Sequence, residues 1–208
     1  MSKLENNRVT LIGTILTKFT FDHEAAGEKF YKFFLSVDRV SENSDLIPVL
    51  VSERAYDVAD GTDFIGLRVK VEGSYRSYNL HENEKSRLIL KVYADQVETA
   101  EHEEDHNEIV LEGFLCKQPI YRKTPLGREI ADCLLAVNRP YGKSDYIPFL
   151  AWGRNANYLS SFEAGTKVCL EGRIQSRTYQ KKLSETEFEE RVAYEVSMSK
   201  FEVLGANR

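Results

Sequence analysis

The chain repeats itself at a spacing of 100 residues, and this limits its fold more than any other feature. Asn7 to Gly13 (NRVTLIG) corresponds to Asn107 to Gly113 (NEIVLEG), and Gly27 to Gly127. Leu35, Val37 and Arg39 correspond to Leu135, Val137 and Arg139, and Asp45, Ile47 and Pro48 to Asp145, Ile147 and Pro148. Further along, VKVEG (69–73) matches VCLEG (168–172) at 99, and VYADQVE (92–98) matches VSMSKFE (196–202) at 104. One register held over about 40 residues is beyond chance similarity, so the chain is two copies of one unit. The expected division is 1–98, an acidic linker at 99–106, and 107–208.

Each copy reads as short strands. RVTLIGTIL and EIVLEGFLC are β-branched and alternating, with Gly at a bend. KFYKFFLSVDR and IADCLLAVNR make a second strand after a Gly-containing turn, and LIPVLVS and YIPFLAW a third. A short helical stretch follows, RAYDVAD or NANYLSSF, then a long fourth strand, a polar hairpin and a closing strand. Five strands with a helix between the third and fourth is the order of the OB-fold, a small Greek-key barrel. The expected fold class is therefore all-β: two tandem five-stranded OB-fold barrels, each with a short helix between strands 3 and 4.

Charge divides unevenly between the copies. The formal net charge is -5, yet 1–98 hold 13 basic against 16 acidic residues while 107–208 hold 15 against 13, and the linker TAEHEEDH has four acids without Lys or Arg. Such asymmetry suggests that only the second half meets a polyanion. No run of about 18 apolar residues is present, so no membrane span or membrane partner is expected. The polar start, MSKLENNR, has no apolar signal core, which points to a cytoplasmic protein. The three cysteines, Cys116, Cys133 and Cys169, lack CxxC spacing and sit in apolar strands, so they read as reduced thiols rather than disulfides or zinc ligands.

The second copy resembles the bacterial single-stranded DNA-binding protein family. The resemblance is carried by N-x-I-x-L-x-G (107–113), TPLGR (124–128), LLAVNRPYG (134–142), YIPFLAWGRNA (146–156) and VCLEGRIQSRTY (168–179). The first copy shares the framework of that family but not its aromatic positions. Two-barrel chains of this family pair to give four OB units, so the resemblance implies a homodimer. It also implies single-stranded DNA as the ligand, roles in replication, recombination or repair, and contacts with proteins of those processes. The chain ends FEVLGANR, without the flexible segment and acidic tip by which family members recruit such partners.

Single strands are held by aromatic rings on which bases stack and by basic groups along the backbone. The lone Trp, Trp152, falls in such a stretch. Tyr146 and Trp152 share one parity of their strand, while Ile147, Phe149 and Ala151 take the other and suit the core. On 168–179, Arg173, Gln175, Arg177 and Tyr179 share one parity, and Val168, Leu170, Gly172 and Ile174 the apolar one. By resemblance, Tyr141, Tyr146, Trp152 and Tyr179 fall where family members place base-stacking rings. Arg122, Lys123, Arg128, Arg139, Lys143, Arg154, Arg173 and Arg177 are the candidate phosphate or stacking partners.

The first copy loses all four rings, which become Ser41, Leu46, Ser52 and Leu80. It is expected to be degenerate and to serve pairing or partner contact. Tyr78, with Arg68, Lys70 and Arg76 on one strand parity, leaves room for weak binding there. His102 and His106 are spaced i, i+4, but acid runs are ordinarily solvated, so the linker reads as a spacer and no metal or other cofactor is expected. All four His lie outside the second copy, and no GxSxG, HExxH, P-loop or CxxC pattern occurs, so catalysis is not expected. The alternative is a primosome-like or phage accessory OB-fold protein acting mainly through protein contacts.

Overall fold

A computed structural model describes residues 5–41, 43–58, 63–82, 85–182, 184 and 187–205. The first copy contributes β1 (Asn7–Ile15), β2 (Thr20–Ala25), β3 (Glu28–Asp38), β4 (Ser44–Ser52), β5 (Arg68–Glu82) and β6 (Lys85–Thr99). The second contributes β7 (His106–Leu115), β8 (Ile120–Lys123), β9 (Glu129–Asn138), β10 (Ser144–Trp152), the short helix α1 (Arg154–Leu159), β11 (Lys167–Lys182) and β12 (Phe188–Val203). All twelve strands join one sheet, in the order β2-β3-β4-β6-β5-β1-β7-β11-β12-β10-β9-β8. Additional β3–β1 and β7–β9 pairings close each copy into a ring of five strands, with β2 or β8 as a sixth strand outside it.

The alternation read from the sequence fills each ring. Val9, Leu11 and Ile15 of β1, Phe33, Leu35 and Val37 of β3, and Ile47, Val49 and Val51 of β4 are buried. Ile109, Leu111, Leu115, Leu135, Val137, Ile147 and Phe149 repeat the pattern. Each such side chain contributes about 1.5–3 kcal/mol on leaving water. The repeat glycines permit the closure. A Cβ on Gly13 would lie 2.3 Å from the Ser36 carbonyl oxygen, and one on Gly113 2.3 Å from that of Ala136. A Cβ on Gly73 would meet Tyr93 O of β6 at 2.1 Å, and one on Gly172 would meet Ser197 O of β12 at 2.4 Å. The ladders shift register there.

The sequence expectation needs three amendments. Each unit has six strands rather than five, because β2 (TFDHEA) and β8 (IYRK) are almost wholly exposed and carry no burial alternation to read. A helix between the third and fourth expected strands is present in the second unit only among the described residues; in the first, 53–56 form turns and a bend, and 59–62 lie outside the described residues. The acidic linker is not a free spacer. Ala100 is buried, Arg68 donates to Glu103 O at 2.6 Å and pairs with Asp105 at 2.6 Å, and the Asp38 N–H donates to Asp105.

The two units dock as a pseudo-two-fold pair. β1 and β7 run antiparallel, with Asn7 opposite Leu111 and Leu11 opposite Asn107. The two repeat asparagines serve equivalent roles. Asn7 exchanges two hydrogen bonds with the Tyr75 backbone, at 2.7 and 2.8 Å, and Asn107 does so with Ile174, at 2.7 and 2.9 Å.

Candidate nucleic-acid interface

Two buried carboxylates fix how the units meet, and both lie in the repeated D-x-I-P stretch. Asp145 is 0% exposed and receives Arg139 in a bidentate pair from its own unit. From the first unit it receives Arg76 at 3.0 Å and the Ser77 N–H at 2.6 Å. Asp45 mirrors it, accepting from Arg39, from Arg173 at 2.9 Å and from the Ser176 N–H at 2.8 Å. Ser77 Oγ then accepts from the Tyr146 N–H at 2.7 Å, and Ser176 Oγ from that of Leu46 at 3.0 Å. The hydrogen bond to Asp45 raises the Arg39 guanidinium, whereas burial and then the neighbouring Arg39 lower Arg173. Each unit therefore sends the far half of its long hairpin across the D-x-I-P strand of the other, β5 across β10 and β11 across β4; of these two strands, β10 carries the candidate rings.

The candidate rings occupy three settings. Tyr146 and Trp152 point outward from β10, 46% and 36% exposed, while Ile147, Phe149 and Ala151 fill the core. Six residues of extended strand separate them by about 20 Å. Trp152 Nε1 donates to Ser197 Oγ at 3.0 Å, which orients the indole without burying it. Tyr141 is 86% exposed on a single turn of 3-10 helix, Pro140–Gly142, and holds a left-handed φ of 66°. Tyr179 lies on the hairpin arm with Arg177 at 5.7 Å from its ring, and it lines a groove of about 670 Å³ with Lys32, Phe34 and Pro48 of the first unit. The structure thus brings Tyr146 and Trp152 onto one strand and sets Tyr179 at the boundary between units.

The candidate cations divide as clearly. Arg128, Lys143 and Arg154 are exposed around the β10 face. Arg122 pairs with Asp132, whose hydrogen bond raises the guanidinium, and Lys123 lies 3.8 Å from Glu129. Arg177 is 3.7 Å from Glu195, with its side chain largely exposed. Arg139 and Arg173 are committed to Asp145 and Asp45. The single basic face expected along 173–179 is therefore split: Arg173 turns to the other unit, Gln175 is buried, and only Arg177 and Tyr179 remain at the surface. In the first unit, Arg68 and Lys70 are tied to Asp105 and Glu72, away from Arg76 and Tyr78. Sequence reasoning missed Asp45, Asp145, Ser77 and Ser176. Their signal was present, since the pairs match at offsets of 100 and 99, as do Arg39 and Arg139.

No helix among the described residues is long and apolar enough to cross a membrane. No cluster of metal-ligating side chains occurs among them. The cysteines are free, and burial pushes the Cys133 thiol up to about 12.

Comparison with known proteins places this architecture. The fold matches the wild-type single-stranded DNA binding protein from Thermus aquaticus, with a TM-score of 0.72 over 95% of this chain and 92% of that one, at 22% identity. Residues 106–204 match the single-strand binding protein family. The single-stranded DNA-binding protein 3 of Listeria innocua is 36% identical over 81 residues, covering 36% of this chain and 51% of that protein. The single-stranded DNA-binding protein 1 of Staphylococcus aureus is 39% identical over 84 residues, covering 36% of this chain and 48% of that one. The chain spans about half the length of these curated relatives. The family match thus covers the second repeat and just under half of the chain.

Proposed function

We propose that this chain binds single-stranded DNA with little sequence preference, through its second repeat, as a binding protein rather than an enzyme. The two closed strand rings are read as tandem OB-fold barrels, 1–98 and 107–208, joined by 99–106. One observation carries the reading. Tyr146 and Trp152 present rings to solvent from a strand whose opposite face fills the core. The exposed part of each ring offers a stacking surface worth about 1–3 kcal/mol per base. Tyr141 extends that surface, and Arg128, Lys143, Arg154 and Arg177 supply phosphate contacts around it. Arg122 and Lys123 join them by exchanging a carboxylate for a phosphate. Arg139 and Arg173 support the site by holding the units together, and Tyr179 extends it along the arm. The names of the relatives and the family match of the second repeat support single-stranded DNA as the ligand. The proposal extends to a role in replication, recombination or repair, in the cytoplasm, as a homodimer.

The test is fluorescence anisotropy of labelled oligo-dT titrated with the full chain. Binding that weakens steeply with salt and is outcompeted poorly by duplex supports the reading. Equal competition by duplex, or no binding at low salt, contradicts it and favours a protein-contact role. Light scattering reads the assembly, with the mass of two chains expected.

A further inference from the structure

The first unit lost the family's rings at the matched positions, yet its outward face is not bare. Ring and hydroxyl have changed places between neighbouring strands. In the second unit, Leu150 pairs with Ser197, and Trp152 on the same face donates to that serine. In the first, Leu50 pairs with Tyr93, and the Trp position is Ser52. The aromatic group thus moves from β4 to β6. Tyr93 packs on Phe30 at 5.5 Å, and Tyr78 of β5 stands 45% exposed with the Lys91 ammonium 5.5 Å from its ring centre.

Tyr78, Lys91 and Tyr93 line a cleft of about 620 Å³, together with Asp22, His23, Leu50, Arg76 and Asp95. Ser77 and Arg139 also border it, and Arg139 comes from the second unit. Ser77 Oγ holds the Tyr146 N–H at 2.7 Å. The cleft is therefore bordered by the serine that holds the backbone of Tyr146, the residue from which a strand lying on the second unit would pass to the first. Its cations are already matched: Lys91 meets Asp22 at 2.6 Å, and Arg76 and Arg139 meet Asp145. Burial alone would lower the Lys91 ammonium, but hydrogen bonds to Asp22 and Tyr78 leave it raised, so the lysine stays charged under the ring.

We infer that this cleft takes nucleobases of the same single strand as it leaves Tyr146, holding them by stacking on Tyr78 and Tyr93 rather than by phosphate contacts. The inference rests on the second-unit site proposed above. It assigns the first unit a ligand role that its losses at the matched positions conceal, and it gives that role its own signature. Matched charges release few counterions, so this part of the affinity is nearly independent of salt.

The test uses the full chain and two oligo-dT lengths, about 8 and about 30 nucleotides, the shorter lying within one barrel's span. Tyr78→Ala is expected to leave affinity for the short oligonucleotide within twofold. Affinity for the long one falls about tenfold, the loss of one stacked base, with an unchanged salt slope. Tyr78→Phe keeps the ring and should bind the long strand as the unaltered chain does. Unchanged long-strand affinity in Tyr78→Ala overturns the inference, as does a loss accompanied by a shallower salt slope. Failure of the unaltered chain to bind either length overturns both readings. Binding of the long strand alone, lost in Tyr78→Ala, supports the cleft and contradicts the second-unit site.

Discussion

Removing the Asp145 carboxylate tests the docking of the two units. In Asp145→Ala, Arg139 and Arg76 lose their shared counter-charge and the Ser77 N–H loses its acceptor. Deleting one partner of a buried ion pair costs about 3–5 kcal/mol. Arg139 and Arg76 are 27% and 31% exposed, so water recovers part of that. The orphaned amide adds about 1–3 kcal/mol. A net loss of about 3 kcal/mol follows, equivalent to a fall in Tm of roughly 6–12 °C for a chain of this size. Asp145→Asn keeps an acceptor for Ser77 and should lose about half as much. Urea unfolding followed by circular dichroism measures both. Because Asp45 holds the same docking from the other side, the Asp45→Ala and Asp145→Ala losses should not add. A loss below about 1 kcal/mol in Asp145→Ala, or strict additivity of the pair, would refute the interlocked account.

Other consequences concern the rings, glycines, thiols and acid behaviour. Trp152→Ala should weaken oligo-dT binding by about 1–3 kcal/mol in an anisotropy titration, with unchanged circular dichroism because the ring is part-exposed. Gly113→Ala should unfold or strongly destabilise the chain, since its Cβ would meet the Ala136 carbonyl oxygen at 2.3 Å; thermal melting reads this. With its thiol pushed up to about 12, Cys133 should resist alkylation at pH 8 until urea is added, as peptide mass mapping would show. Burial would raise the Asp22 carboxyl, but hydrogen bonds from Lys91 and His23 leave it lowered. Its contribution is therefore complete above the unfolded value of about 3.9 and lost as pH falls through the lower folded value. Asp22→Asn should flatten the pH dependence of stability in that acid window, measured by urea unfolding at stepped pH.

The repeat made most of the fold legible. The matched Gly13 and Gly113, the alternation of β3 and β9, and the D-x-I-P strands all occupy equivalent places in the two rings. Pro48 and Pro148 also match, each lying just before its strand begins pairing with β6 or β12. The hidden part was whatever does not alternate or does not stay within one copy. β2 and β8 bury nothing, so no pattern marks them. Strand parity described which residues share a side of β11 but not that Arg173 meets Asp45 of the other unit. The Lys91 and Tyr93 cleft escaped a residue-by-residue comparison because its ring moved to a neighbouring strand.

The central claim, that bases stack on the second unit, is tested most directly by the single tryptophan. Oligo-dT is titrated into the full chain at about 50 and about 300 mM salt while Trp152 emission is followed. Deep quenching at low salt, with affinity falling strongly at high salt, is the predicted result. Emission that stays constant while anisotropy reports bound DNA would place the strand elsewhere and contradict the account.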